Sequence, residues 1–306
     1  MRKIIDFHAH LGDIFHAKKN TLWDQNVQHG DYPNPFIVQE ESGYLDPLLS
    51  NPSELQILID AGQYLCWENT VQNMTKKLDD FNITYTNVFP IHPNNTFEEM
   101  LAASKVDPRI LPFTSADYSL PVDEMVAKLK SDVKLGARGL KIHPIIQNTR
   151  LADPRVHAAV ETIASFNLPI LSHCGANDYY IDKPYKRDPE AGDVKYFIEL
   201  AQTYPDIVLV AGHAGGLMGG EMEILAEGIK GLHNVYVDTS FRGYADILKA
   251  VDFFGADKVL YGTDCPFSTH KGPIKQVELA AEKAQDPKLA DMIFFENAAK
   301  ILHIYR

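Results

Sequence analysis

A (β/α)8 TIM barrel is the fold class this sequence predicts, on three observations. Eight β-rich runs alternate with longer amphipathic stretches along the whole chain. Its 306 residues suffice for one barrel, which commonly takes about 250. The GxGxxG fingerprint that follows the first strand of many open, doubly wound sheets is missing.

The eight strand candidates are Lys3–His10, Ile83–Pro90, Ile110–Asp117, Ala137–Pro144, Leu168–Gly175, Ile207–His213, Asn234–Ser240 and Lys258–Asp264. Most hold a block of Val, Ile, Leu, Phe or Tyr and stop at a turn-former or His, as strands buried on both faces do. Thr84, Thr86, Thr114 and Ser115 dilute the second and third. Between them, Ser53 is placed to cap a helix over Glu54–Asp80. Thr96–Lys105 carries Thr96 and Glu99 in capping-box register. Val122–Leu135, Asp153–Phe166, Asp193–Tyr204, Gly220–Lys230, Tyr244–Phe254, Pro273–Ala284 and Lys288–Leu302 complete the helices. Pro154 and Pro273 suit a first helical turn, where the missing N–H would be unpaired anyway.

Two stretches break the alternation: a long insertion after strand one, Leu11–Pro52, and Ala176–Glu190 after strand five. Both follow a strand, so in a barrel they belong to the face where binding loops gather. Tyr179, Tyr180, Lys183, Tyr185, Lys186 and Arg187 make the second a candidate pocket wall or lid. No repeat or linker divides the chain, so residues 1–306 read as a single domain.

A formal net charge of −12 offers no basic stripe for nucleic acid. It leaves a small-molecule substrate, anionic ones included, because a bound cation dominates the field around it. No apolar run approaches the roughly 20 residues of a membrane span. After Lys3 the apolar stretch is only Ile4-Ile5, so no secretory leader is visible. Cys66, Cys174 and Cys265 are odd in number and lack CxxC spacing. A reduced, cytoplasmic setting is expected. A homodimer is compatible with a barrel of this size, though no residue pattern requires it.

The chemistry gathers at strand ends. Asp6-Phe7-His8-Ala9-His10 closes the first strand, and side chains two apart can aim two imidazoles at one point. Alone, an HxH pair is weak, because histidines are often half buried for ordinary reasons. Yet His173 ends the fifth strand, His213 the sixth and Asp264 the eighth. A barrel brings all these ends to one face, so together they point to a metal site. Asp6 is either a carboxylate that orients a ligand or a buried hydrogen-bonding group one layer down. Cys174 and Cys265 read as small buried hydrophobes. Gly212, Gly215 and Gly216 either allow close approach of backbone to a ligand or merely form a tight turn. Arg242 lies where it could hold a carboxylate, or is an ordinary exposed arginine.

His8, His10, His173, His213 and Asp264, with Gly139-Leu140-Lys141-Ile142-His143-Pro144 and Gly262-Thr263-Asp264-Cys265-Pro266, resemble the amidohydrolase superfamily. The likeness runs from His8 through Glu296-Asn297-Ala298. It is nearest to the amidohydrolase 2 branch, which includes aminocarboxymuconate semialdehyde decarboxylase and related lactonases and hydrolases. The resemblance implies that His8, His10, His173 and Asp264 hold one divalent metal: zinc first, with manganese or iron also fitting. It also implies that Asp264 accepts a proton from the attacking water and that His213 polarises a carbonyl or moves protons. His213 as a further imidazole ligand stays open. Lys141 is a charge near the substrate, half of a structural ion pair, or a carboxylated bridge between two metals. The expected activity is hydrolysis of a C–N or C–O bond in a small cyclic or carboxylated molecule. Non-oxidative decarboxylation is the alternative, and a catalytically idle binding barrel a second one.

Overall fold

The computed structural model describes residues 2–16, 21–23, 52–176, 188–217 and 219–304. Most of the Leu11–Pro52 insertion, and all six aromatic and basic residues singled out after strand five, lie outside this set.

Among the described residues nine parallel strand segments run β1 (Ile5–Ala9), β2 (Tyr85–Val88), β3 (Ile110–Pro112), β4 (Thr114–Ser115), β5 (Leu140–Ile142), β6 (Ile170–Ser172), β7 (Leu209–Ala211), β8 (Val235–Asp238) and β9 (Val259–Leu260). Successive segments pair within β1–β3 and within β4–β9. β3 and β4 are two pieces of one run, interrupted at Phe113, so the nine segments make eight staves. Phe113 N donates to the Val88 carbonyl (3.1 Å) and Arg138 N to the Pro112 carbonyl (2.9 Å), joining the two sheets there. At the other seam Phe7 N donates to Tyr261 O (2.8 Å), Asp264 N to His8 O (2.7 Å) and His10 N to Cys265 O (2.6 Å). An Ala9–Cys265 bridge completes the closure. The molecule is a (β/α)8 barrel.

Two of the three threonines that dilute the predicted strands have a hydroxyl partner, while the buried Thr86 hydroxyl has none among the described residues. Ile4 N donates to Thr84 Oγ1 (3.0 Å), and Thr114 Oγ1 donates to Asp132 Oδ2 (2.6 Å). A hydroxyl so satisfied costs little inside a strand. One core cluster packs strand residues such as Val88, Leu140, Ile170, Leu209 and Val237 against helix residues such as Leu129, Val160 and Leu225. A second gathers Phe7, Phe89, Phe113, Leu171, Val210, Tyr236 and Leu260. The Phe89 ring centroid lies 5.3 Å from that of His8 and 6.0 Å from that of His10, so this cluster abuts the strand-end histidines.

The helix predicted over Glu54–Asp80 is two helices, Pro52–Glu68 and Val71–Asp80, and the first starts before Ser53 rather than after it. The break has a local cause. Thr70 caps the second helix by accepting from Asn73 N (3.2 Å), and buried Asn69 turns away to donate from Nδ2 to the His10 carbonyl (2.7 Å). Short polar side chains favour such bonds over helix interior. The kink thereby anchors the end of β1. The Thr96–Glu99 capping box is present as predicted, and Asp153 caps the helix that starts at Pro154. Pro273 stands in the first turn as predicted, although its helix, Lys271–Lys283, begins two residues earlier than expected. The last helical run, Pro287–Ile301, contains a π turn at Met292–Glu296. No described helix is long and apolar enough to cross a membrane.

Candidate metal centre

His8, His10 and Asp264 meet at the β1–β9 seam, all buried. Asp264 Oδ1 lies 3.2 Å from His10 Nε2 and 3.4 Å from His8 Nε2. The far side of each ring fixes its tautomer. His10 Nδ1 is 3.0 Å from the Phe89 carbonyl, which can only accept, so Nδ1 carries the hydrogen. His8 Nδ1 is 2.9 Å from Asp238 Oδ2. Burial pushes the Asp238 carboxyl up, but His8, His213 and the Ser240 hydroxyl more than offset this and hold it well below the carboxylate range. Asp238 is therefore ionised, and His8 Nδ1 donates.

Both Nε2 lone pairs thus face one carboxylate oxygen, and Asp264 Oδ1 is buried with no hydrogen-bond partner. Leaving a buried charged acceptor unmet costs on the order of 1–3 kcal/mol or more. Three electron-pair donors converging without a hydrogen between them fit a divalent cation, which prefers such an N/O set. Their ligand atoms all lie within 4.8 Å of one another. Burial opposes ionisation of Asp264 too, and the neighbouring His8, His10 and His213 reverse it, so its pKa is lowered.

The other predicted residues stand beside this trio. His173 lies outside the 4.8 Å group; its Nδ1 faces His213 Nε2 at 3.1 Å, and its ring stacks on His143 with centroids 4.1 Å apart. Burial lowers the pKa of His10, His143 and His173, and that of His213 to about 3, so these imidazoles are neutral in the metal-free protein. Lys141 Nζ is 3.0 Å from His8 Nε2 and 5.1 Å from the Phe89 ring centre. Burial lowers its pKa to about 8, although Asp264 and Asp238 pull it up. Among the described residues no carboxylate lies within ion-pair distance of Lys141, so the structural ion pair is not observed. His8 Nε2 can serve Lys141 or a cation, not both at once.

His213 is held in the left-handed region at φ 57°, as is Ala214 at φ 49°. Such a backbone costs on the order of 1–3 kcal/mol per non-glycine residue and needs anchoring. Arg242 supplies one anchor by donating to the His213 and Gly216 carbonyls, so it is half-buried and turned to main chain rather than to a substrate carboxylate. Asp6 is the buried group one layer down: it accepts from Thr263 Oγ1 (2.6 Å), Thr263 N (3.1 Å) and His8 N (3.2 Å). The three cysteines are free and buried. Gly212 approaches the site closely, since a Cβ there would lie 3.4 Å from His8 Cε1.

Sequence reasoning missed Asp238, Ser240 and His270. Asp238 ends β8 as Asp264 follows β9, so the strand-end rule already used for the histidines would have found it. Buried His270, 3.1 Å from Asp6 Oδ2, carries no signal in spacing, because its partner is remote in sequence.

Fold and site together define a (β/α)8 barrel with a buried His–His–Asp cluster at its strand ends that could hold a cation. Residues 5–304 match the Amidohydro_2 family, described as amidohydrolase, and the chain belongs to that family. Solved structures share the fold at low identity. An uncharacterized TIM-barrel protein from Bordetella bronchiseptica is 18% identical over 98% of both chains, with TM-score 0.66. The 5-carboxyvanillate decarboxylase of Sphingomonas paucimobilis is 13% identical over 100% of both chains, TM-score 0.64. A protein described as a probable 2-pyrone-4,6-dicarboxylic acid hydrolase from Acinetobacter baumannii is 15% identical over 98% of this chain and 99% of its own, TM-score 0.58. A curated methionine synthase of Saccharolobus solfataricus is 26% identical over 140 residues, spanning 45% of this chain and 40% of that relative.

Proposed function

We propose that residues 1–306 form a single-domain, metal-dependent hydrolase that cleaves a C–N or C–O bond in a small cyclic or carboxylated molecule. One observation carries the reading: the unpartnered, buried Asp264 Oδ1 facing two imidazole lone pairs. His8, His10 and Asp264 would hold one divalent ion, zinc first and manganese or iron next, with His173 as the fourth ligand. A bound divalent ion supplies an activated water near neutral pH and polarises a carbonyl.

The chain's own groups do the rest. Asp264 has a second carboxylate oxygen to take a proton from the attacking water and return it to the leaving group. His213, its ring centroid 5.1 Å from that of His8, would take up a proton at its Nε2 lone pair and return it during turnover. Lys141, freed from His8 Nε2 when an ion takes that lone pair, would place its ammonium toward an anionic substrate. We place the enzyme in the cytoplasm, in keeping with three unbridged cysteines, and leave a homodimer as compatible.

Non-oxidative decarboxylation by the same site is the second reading, favoured by the fold shared with a named decarboxylase. A panel of lactones, cyclic amides and aromatic carboxylates, assayed for acid release and for carbon dioxide, separates the two. Acid release from a lactone or amide supports hydrolysis. Carbon dioxide from an aromatic acid, with no hydrolysis, replaces it with decarboxylation.

A further inference from the structure

We propose that Asp238 is a positioning residue that governs two histidines at once: His8 directly and His213 through Ser240. The inference rests on the reading above, in which His8 is a ligand and His213 a proton carrier.

The two oxygens of Asp238 have different tasks. Oδ2 takes the hydrogen of His8 Nδ1 at 2.9 Å, which leaves the His8 Nε2 lone pair for the cation pocket. Oδ1 accepts from the Ser240 hydroxyl, from Ser240 N (3.0 Å) and from His213 N (3.3 Å). The Ser240 hydroxyl has one hydrogen, and Asp238 takes it. Toward His213 Nδ1, 2.7 Å away, Ser240 Oγ can then only accept. His213 Nδ1 must therefore carry the hydrogen, leaving the Nε2 lone pair on the side of His173 and the pocket. The reverse tautomer of either ring would set a nitrogen lone pair against an oxygen that has only lone pairs to offer.

Main-chain geometry makes the same arrangement rigid. Asp238 holds the N–H of the left-handed His213, and Arg242 holds its carbonyl, so the peptide is fixed from both sides. Asp238, Ser240 and His213 are fully buried, so water does not compete for these bonds. Gly262 lets the β9 end lie close, since a Cβ there would be 2.9 Å from the His8 Cβ and 3.1 Å from the Asp238 Cβ. A carboxylate that merely filled space would not need one oxygen on an imidazole and the other on the hydroxyl that faces a second imidazole. Partners of this kind outside a metal's ligands typically change metal affinity about 10–100-fold when removed.

The test uses full-length, metal-free protein labelled with 15N-histidine, at neutral pH, with zinc affinity measured separately by chelator competition. In the wild type, His8 and His213 should both show hydrogen on Nδ1 and a bare Nε2. Asp238→Asn should disturb both histidines and weaken zinc binding roughly 10–100-fold. Ser240→Ala should disturb His213 while leaving the His8 signal and zinc affinity in place. Either wild-type ring carrying its hydrogen on Nε2 overturns the proposal, whether or not Asp238→Asn folds. So does a Ser240→Ala protein whose His8 signal and zinc affinity change as much as those of Asp238→Asn. If the wild type takes up none of zinc, manganese or iron, the hydrolase reading fails, while the two tautomers still decide this proposal.

Discussion

The β1–β9 seam and the wall formed by the ends of β7 and β8 both bury an aspartate among histidines, yet their hydrogen-bond accounts differ. At the seam, Asp264 Oδ1 faces two Nε2 atoms and receives no hydrogen. On the wall, Asp238 Oδ1 receives three and Oδ2 one, and each imidazole passes its hydrogen to a neighbour. The lesson is that burial and residue type alone do not mark a metal site. What sets the seam apart is a buried carboxylate oxygen that no protein hydrogen meets, beside two imidazoles. A satisfied network orients its members; an unsatisfied one is open to a cation.

Breaking the seam should give the largest effect. Asp264→Asn should cut turnover by at least about 10³-fold, since both an ion ligand and a proton acceptor are lost. The metal-free variant should nevertheless melt no lower than the wild type, because removing a buried unmet charge relieves strain. Parallel melting curves and initial rates check both halves. His213→Asn should lower kcat by about 10²–10⁴-fold while metal content is retained, which elemental analysis beside steady-state kinetics would show. The wall should respond in the opposite sense to the seam. Asp238→Asn should destabilise the metal-free protein by about 2–4 kcal/mol in urea titration, because it breaks a satisfied buried network.

The smallest effect is graded with pH. His10, His143, His173 and His213 all have folded pKa values below their unfolded value near 6.5, so the unfolded chain binds more protons than the folded one as pH falls. Their contribution is fully present above about pH 6.5 and is lost on acidification, by roughly 1.4 kcal/mol per pH unit for each group still neutral in the fold. For His213 the loss continues down to about 3. Metal-free protein should therefore melt progressively lower below pH 6.5, as a scan of melting temperature against pH would show. A flat profile would mean that these histidines take up protons in the fold as readily as in the unfolded chain.

Much of this was legible in sequence because strand ends are a topological address. His8, His10, His213 and Asp264 each follow an apolar run, and the barrel rule sends such positions to one face. Asp238 follows Val235-Tyr236-Val237 in the same way, but an aspartate closing a buried strand also looks like an ordinary turn-former. Its role depends on Ser240 and on two rings from other strands, which only the closed barrel assembles. The Asn69–Thr70 break was hidden because Val71, Met74 and Leu78 continue the apolar stripe of the preceding helix. Its cause is a bond to the His10 carbonyl, a contact across the fold that local propensity cannot express. His143 was noticed only as a neighbour of Lys141, and its stacking on His173 is likewise a product of parallel strands in register.

On the proposed reading, His8, His10 and Asp264 at the seam hold one divalent ion. Elemental analysis of protein purified without added metal, for the wild type and for His8→Ala, tests it most directly. One zinc, manganese or iron ion per wild-type chain is expected, with its loss in His8→Ala. A wild-type protein that contains no metal and takes none up on titration with zinc or manganese would contradict it, leaving a barrel that binds without catalysis. Two ions per chain would contradict the single-ion site as well, and would bring Lys141 among the ligands.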